Sequence, residues 1–504
     1  MIALATCAAG AEKVLSGELR KLKEKTDISI LDAGYGNVLF KTCVQGLYFA
    51  LMSLRTADRI FLVLSPDVVE HKMDFDRIAA SGKPKPEFSP TGQFDASDFD
   101  ALFDGVSSIP FEDYVSKDFC IVVDKVRSKQ SRLAAQNAVQ AMVHKAAAQR
   151  LCKKYNVERL DDNGKKAVLR VYIDKDKARI LLDICGSPLF KRAYREDGGG
   201  APLRETTAAA LLFLSRWRRK IPLWDPFCGS GTIAIEAALY AWNAAPNMKR
   251  CFALDGLLIA DKKIEEQVRQ ILIEQIDFSV PFKIYGSDED RRMVEIAKSN
   301  LQRAIRLVCG GKGTAQKDFS VMPASMPDFW ALNMKDAKGL ENDGIIICNP
   351  PYGKRVGNEE DAIKNYSQMS VLQENFSSWK ICVISDHSGF ESFFATRANS
   401  CTKITNGPLD TYFYEYLPKL EKDAIKMPAV EPRTRNKAHT EGGFVIPKTY
   451  NTDLMKNDRN TRTNYGNGTG STAGGSVRPA KRGCSEGGST PRKHNPKKNI
   501  DWTW

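Results

Sequence analysis

The apolar run Gly344-Ile345-Ile346-Ile347-Cys348 stops abruptly at Asn349-Pro350-Pro351-Tyr352-Gly353, and no other stretch of the 504 residues restricts the fold as sharply. A strand cannot carry its ladder through two prolines, which lack an N–H and hold the backbone fixed. The polar groups that follow the strand are therefore left to serve something else. The Asn349 side-chain oxygen and the Pro350 carbonyl are placed to accept both hydrogens of a planar exocyclic NH2. Pro351 keeps the turn rigid, and Tyr352 offers a flat face on which a base can stack. Taken alone, the stretch fits equally well a rigid strand-ending turn with a buried Asn.

Upstream, Leu223-Trp224-Asp225-Pro226-Phe227-Cys228-Gly229-Ser230-Gly231-Thr232 leads into IAIEAALYAW, whose apolar residues recur at helical spacing. This reads as strand, glycine turn, helix. Gly229 and Gly231 permit positive φ and close backbone approach, and the helix N-terminus behind them presents free N–H groups to an anionic cofactor end. Asp225, Phe227, Gly229 and Gly231 are candidate cofactor contacts. The next strand, Phe282 to Asp288, ends in an acid where doubly wound sheets bind ribose hydroxyls. Asp290 is a second ribose candidate, and equally a cap for the helix that starts near Arg291. Further on, Gln316-Lys317-Asp318-Phe319 is expected at the end of a third strand. There Asp318 either accepts from an adenine amino group or is a solvated loop acid.

Taken in order, the glycine turn, the two acidic strand ends and Asn-Pro-Pro-Tyr resemble the class I S-adenosylmethionine-dependent methyltransferases that act on amino groups. LDICGSPLFKRAYR from Leu182, APLRETTAAALL from Ala201, NPPYGKRVGNEED, SSWKICVISDHSGFE and KITNGPLDTYFYEY narrow the resemblance. They are similar to the THUMP-containing RNA guanine-N2 methyltransferases, most closely the bacterial 23S ribosomal RNA methyltransferase L family. The likeness runs from the first residue to about Pro418. It implies S-adenosyl-L-methionine as cofactor, guanosine N2 in RNA as acceptor, and Asn349, Pro350, Pro351 and Tyr352 as the catalytic set. It also implies that the segment after Ala201 folds over the methionine end of the cofactor, with Thr206 in contact. The DGGG run before Ala201 departs from that pattern.

This chemistry needs little beyond positioning, because the sulfonium carbon is already an activated electrophile. Two acceptors on the NH2 favour charge development at nitrogen, so neither a metal nor a strong base is required. His387 reads as structural. Asn-Pro-Pro-Tyr also serves DNA adenine-N6 and protein glutamine-N5 methyltransferases, and the THUMP-like half argues against both. Transfer RNA guanine-N2 methylation and a non-catalytic RNA-binding assembly factor remain as alternatives.

The expected architecture is α/β. A ferredoxin-like α+β subdomain (1–80) and a THUMP RNA-binding domain (92–185) are followed by a linker (186–200), a Rossmann-like methyltransferase domain (201–418) and a basic disordered tail (419–504). Lys125, Arg127, Lys129 and Arg132, at a strand-to-helix junction, are the candidate RNA contacts; a solvated rim is the plainer alternative. Lys354 and Arg355 follow the proline turn and either hold a flanking phosphate or are exposed loop charges.

The net charge of +13 fits an RNA partner. From Glu421 onward, 16 Lys/Arg face 8 Asp/Glu, so much of that surplus belongs to a Gly/Asn/Ser/Thr-rich tail that cannot bury a core. Twelve cysteines without a C-x-x-C pair read as reduced thiols. Without a signal peptide pattern or a long apolar run, a monomer in the cytoplasm is expected, with no membrane partner.

Overall fold

The computed structural model describes residues 1–66, 86–195, 203–309, 322–338, 340–351, 359–407 and 409–418, with side chains omitted for 359–361. Asp318, Tyr352, Lys354, Arg355, the DGGG run and the tail lie outside the described residues.

The first unit runs β1 (Ile2–Cys7), α1 (Glu12–Leu22), β2 (Ile28–Gly34), β3 (Asn37–Thr42), α2 (Val44–Ser53), β4 (Ala57–Leu64). β1 lies antiparallel between β3 and β4, and β2 flanks β3, which gives the ferredoxin-like order β2-β3-β1-β4. α1 buries Leu15, Leu19 and Leu22, the one-sided stripe that makes a short helix worth forming.

The second unit contributes β5 (Phe94–Asp95), α3 (Phe99–Ser108), β6 (Phe119–Lys129), α4 (Gln136–Tyr155), β7 (Lys165–Asp174) and β8 (Lys177–Asp183). Asp98 caps α3 by accepting from the Ala101 N–H at 2.8 Å. β8 pairs antiparallel with β4, Phe61 opposite Asp183 and Leu62 opposite Leu182. The two units therefore share one eight-stranded sheet. Sequence reasoning treated them as separate pieces, because nothing local announces a pairing between strands more than a hundred residues apart.

One irregularity in that sheet matters for function. The β6–β7 register shifts between Val123 and Lys125. Before the shift Ile121 and Val123 are buried; after it Val126 is buried while Lys125, Arg127 and Lys129 are exposed. A single extra residue reverses the parity of the side chains and turns three basic residues onto one face.

The third unit contains α5 (Glu205–Leu214), β9 (Leu223–Asp225), α6 (Thr232–Ala241), α7 (Lys262–Glu274), β10 (Ile284–Asp288), α8 (Arg291–Cys309) and β11 (Asp328–Ala331). It continues with β12 (Ile345–Cys348), α9 (Glu359–Gln368), α10 (Val371–Asn375), β13 (Lys380–Ser385), α11 (Phe390–Phe393), β14 (Ser400–Asn406) and β15 (Leu409–Tyr416). The sheet order is β11-β10-β9-β12-β13-β15-β14. The first five strands are parallel, and β15 is antiparallel to both of its neighbours. The TYFYEY stretch is thus the antiparallel strand expected of a Rossmann-like methyltransferase domain. Ile345 and Ile347 enter the core on one face, Ile346 and Cys348 the core on the other. Burial on both faces explains why this strand shows no polar alternation.

The third parallel strand corrects one expectation. The place beside β10 is taken by Asp328–Ala331, not by a strand ending at Gln316–Phe319. FWA is short and mostly exposed, so periodicity gave it little weight.

The segment after β8 is packed as far as it is described, through Arg195. Arg192 and Tyr194 are buried, with Arg192 paired to Glu236 and donating to the Arg55 carbonyl. The Tyr194 hydroxyl donates to Glu236 at 3.0 Å. On the other side of the junction, Ala9 and Thr405 exchange two bonds, one to the Thr405 hydroxyl at 2.9 Å and one between backbones at 3.0 Å. Gly10, at φ +98°, lies so close to Lys403 that a Cβ would sit 2.1 Å from its carbonyl oxygen. Only glycine fits there. Among the described residues no helix is long and apolar enough to cross a membrane.

Candidate active site

The carboxyl ends of β9, β10, β11 and β12 open into one cavity of about 360 Å³, a size suited to a nucleoside-sized ligand. Parallel strands leave their C-terminal ends free of ladder partners, so polar side chains there can face a ligand. Asp225, Phe227, Gly229, Asp288, Asn349 and Pro351 all line it.

The turn after β9 is fixed by short local bonds. Asp225 accepts from the Phe227 N–H at 3.1 Å, and the Cys228 N–H donates to the Ser287 carbonyl at 2.9 Å. Gly229 (φ +50°) and Gly231 (φ +82°) both occupy the left-handed region, as expected of this turn. Their surroundings differ. A Cβ on Gly229 would meet only Met293, at 3.8 Å, whereas one on Gly231 would stand 3.0 Å from Ala297 and 3.1 Å from Phe329. Gly229 gives the cavity an open backbone; Gly231 lets the turn pack on α8 and β11.

Two carboxylates dominate the electrostatics. Asp225 is fully enclosed, and burial, with Asp288 nearby, pushes its pKa up to about 8 against the Phe227 N–H bond. Asp288 is also raised by burial, and Asp290 and Glu289 add repulsion. The Asp290 and Gly229 N–H groups oppose the shift. Asp290 lines the cavity but accepts from the Arg292 N–H at 2.8 Å, so it caps α8, the other role foreseen for it. Asn349 carries the clearest chemical signal: its Oδ1 is buried and has no hydrogen-bond partner among the described residues. A buried acceptor left unpaired is costly, and a ligand N–H aimed at it recovers that cost.

Thr206 does not join this group. It is the second residue of α5, buried, and its hydroxyl donates to Asp58 in the first unit, so Leu203 is the residue of its segment that lines the cavity. Arg195 holds that segment in place by donating to the Leu203 carbonyl at 2.8 Å and the Thr232 hydroxyl at 3.2 Å. Sequence reasoning also missed Asn333, Asn365 and Gln368, which line the cavity from the end of β11 and from α9. Lone amides on a loop or an amphipathic helix carry no signal that separates them from surface residues. His387 lies outside the cavity, between the rings of Tyr366 and Phe393, and its Nδ1 accepts from the Gly389 N–H at 3.0 Å. Lys125 and Arg127 border a second cavity; Lys129 lies farther along β6, and the Arg132 backbone N–H donates to Asp176.

A family model described as "RMKL-like, methyltransferase domain" matches residues 192–309 and 314–415, and one described as "RlmL ferredoxin-like domain" matches 3–61. The chain is 31% identical over 428 residues to "Putative RNA methyltransferase YpsC" of Bacillus subtilis (strain 168), covering 84% of this chain and 97% of that one. The chain belongs to the RlmL-like methyltransferase family. "Ribosomal RNA large subunit methyltransferase K/L" of Aliivibrio fischeri (strain MJ11) is 31% identical over 426 residues, covering 81% of this chain and 52% of its relative, so the chain spans about half the length of that protein. Among solved structures, "SMU.472, a putative methyltransferase complexed with SAH" superposes with a TM-score of 0.68 at 29% identity, covering 84% of this chain and 99% of the other.

S-adenosylmethionine is the cofactor of this RlmL-like methyltransferase, and the residues present fit it. The open Gly229 backbone and the α6 N-terminus suit the carboxylate end. Asp288 suits the ribose, and the acidic wall of Asp225, Asp288 and Glu289 suits a cationic sulfonium. Among the described residues, no group of His, Cys, Asp and Glu is placed to hold a metal ion.

Proposed function

We propose that this chain transfers a methyl group from S-adenosylmethionine to the exocyclic N2 of a guanosine in RNA, with large-subunit ribosomal RNA as the substrate. The observation that carries this reading is the unpaired Asn349 Oδ1 at the wall of the cofactor cavity. The Asn349 oxygen and the Pro350 carbonyl each accept one hydrogen of the planar NH2, which holds the nitrogen in line and favours the positive charge that grows on it. Pro351 borders the base, and Tyr352 stacks on it. Bound S-adenosylmethionine supplies the activated methyl carbon. Asp225 and Asp288 hold the cofactor's polar groups.

The substrate class rests on the names of the relatives and on the N-terminal half. We read Phe94 to Ile184 as a THUMP-like RNA-binding unit that brings Lys125, Arg127, Lys129 and Arg132 to the nucleic acid. The basic composition supports that partner.

The test is nucleoside mass spectrometry of ribosomal and transfer RNA after incubation with the protein and isotopically labelled cofactor. Labelled N2-methylguanosine in the large-subunit RNA is the expected product. The same nucleoside in transfer RNA alone would move the substrate. Labelled N6-methyladenosine would overturn the guanine assignment, and cofactor binding without any transfer would favour an assembly factor.

A further inference from the structure

A second cavity, of about 590 Å³, opens where all three units meet. Its walls come from the β2–β3 turn, the face of β6 and β7 exposed by the β6 irregularity, the start of α5 and the β14–β15 turn. Five cations line it: Arg59, Lys125, Arg127, Arg170 and Arg204. Three are already matched, Arg59 with Asp183, Arg170 with Asp124 at 2.9 Å, and Arg204 with Asp58 at 3.2 Å. Lys125 and Arg127 have no carboxylate partner among the described residues, and both are exposed. Across the ladder Lys125 stands next to Arg170, a neighbour of like charge, and the Arg127 guanidinium lies over the Tyr172 ring, 6.0 Å from its centre. Two uncompensated cations converging in one concavity leave room for an anion.

The rim adds a flat ring. Tyr35, at the tip of the β2–β3 turn, is 78% exposed. The backbone that carries it is nonetheless fixed. Glu12 accepts from the Gly36 N–H at 2.6 Å and the Gly10 N–H at 3.0 Å, and Asn37 donates to the Tyr35 carbonyl at 3.1 Å. An unburied aromatic on a fixed turn, beside cations that no carboxylate pairs, is the combination that holds single-stranded nucleic acid: phosphate on the cations, base on the ring.

Adjacent residues join the two cavities. Leu203 lines the cofactor cavity and Arg204 the basic one. A single peptide bond separates the residue that lines one from the residue that lines the other.

We propose that the basic cavity binds a nucleotide of the single-stranded RNA segment that carries the target base, its phosphate on Lys125 and Arg127 and its base on Tyr35. This rests on the RNA substrate proposed above. It adds a site on the far side of Leu203 from the reacting nitrogen. Leu203 and Arg204 set this cavity beside the cofactor cavity, so a nucleotide held here belongs to the strand whose target base reaches Asn349.

The test uses the full chain and a short fluorescein-labelled single-stranded oligoribonucleotide, with binding read by anisotropy across a salt series. K125A/R127A is expected to bind more weakly and to lose about 0.7 from the log–log salt slope for each phosphate contact removed. Y35A is expected to bind about tenfold more weakly at every salt concentration with its slope unchanged, because a stacking contact carries no counterion. Wild-type slope and affinity in both variants would overturn the inference, as would competition by uridine monophosphate as effective as that by the strand. Calorimetry with S-adenosylhomocysteine on the same samples is expected to be unchanged and reports the fold independently. If the wild type binds the strand but not this ligand, the methyl-transfer reading falls and the cavity stands. If it binds the ligand but no RNA, the cavity falls.

Discussion

The carboxylate of Asp288 accepts the backbone N–H of Gly229 at 2.9 Å, so the acid at the end of β10 is fastened to the glycine turn that follows β9. One side chain thus both shapes the turn and faces the cavity. Asp288→Ala is expected to weaken S-adenosylhomocysteine binding by about 1.5–3 kcal/mol, the range for a hydrogen bond to a charged group. Calorimetry checks this, and unchanged affinity would remove Asp288 from the site.

Asn349→Ala removes the acceptor from one wall of the cavity and leaves Asp225, Gly229 and Asp288 in place. Turnover is expected to fall by about 10²–10³-fold, as when one transition-state hydrogen bond is lost. S-adenosylhomocysteine affinity should change by no more than about twofold, since the amide serves the acceptor. A variant that retains full turnover would end the proposed role.

The two glycines of the turn should separate stability from binding. Gly231→Ala places a methyl 3.0 Å from Ala297 at a positive φ, so it should destabilise the fold by at least about 1–2 kcal/mol. Gly229→Ala has room, so its thermal shift should be smaller, with the main loss in cofactor affinity as the methyl narrows the cavity. Paired melting and binding curves decide it.

Asp225 predicts a pH dependence of definite sign. It keeps its proton up to about pH 8 in the folded chain, whereas an unfolded aspartate releases it near about 4. Between those values the native state holds the extra proton, so this contribution to stability is present on the acid side and is lost as pH rises toward 8. Asp225→Asn should therefore melt higher than wild type at alkaline pH, with the gap closing on acidification. A cationic cofactor favours the carboxylate, so wild-type affinity should fall by up to about tenfold per pH unit below 8 while the variant stays flat.

Arg192→Met leaves Glu236 buried without its cation, a loss of about 3–5 kcal/mol. Adding Glu236→Leu should recover much of it, because a matched apolar pair avoids the desolvation that both charges suffer. If the double variant melts no higher than the single one, the pair holds the junction by more than charge compensation.

Features written in contiguous residues were legible in the sequence. Asp225 to Gly231, Asp288 and Asn349 to Pro351 each combine a strand end with a residue type that a strand end rarely tolerates, and all but Gly231 and Pro350 line the cavity. What depended on distant partners was not legible. Thr206 looked like a cofactor contact until Asp58, 148 residues away, proved to hold its hydroxyl. Lys125 and Arg127 read as RNA contacts at a strand-to-helix junction, with a solvated rim as the alternative; the parity change in β6 and the approach of Arg204, which make them part of a concave site, were not legible. No spacing rule encodes such meetings, because they are set by how whole sheets dock.

The two bonds between Ala9 and Thr405, with Gly10 pressed against Lys403, remove the usual slack between the N-terminal unit and the methyltransferase unit. A tethered module would sweep out many nucleotides around its anchor. A clamped one works like a caliper: with RNA anchored on the N-terminal half as proposed above, the reach from anchor to reacting nitrogen is set when the chain folds, and an RNA would be chosen by whether its own geometry spans that gap.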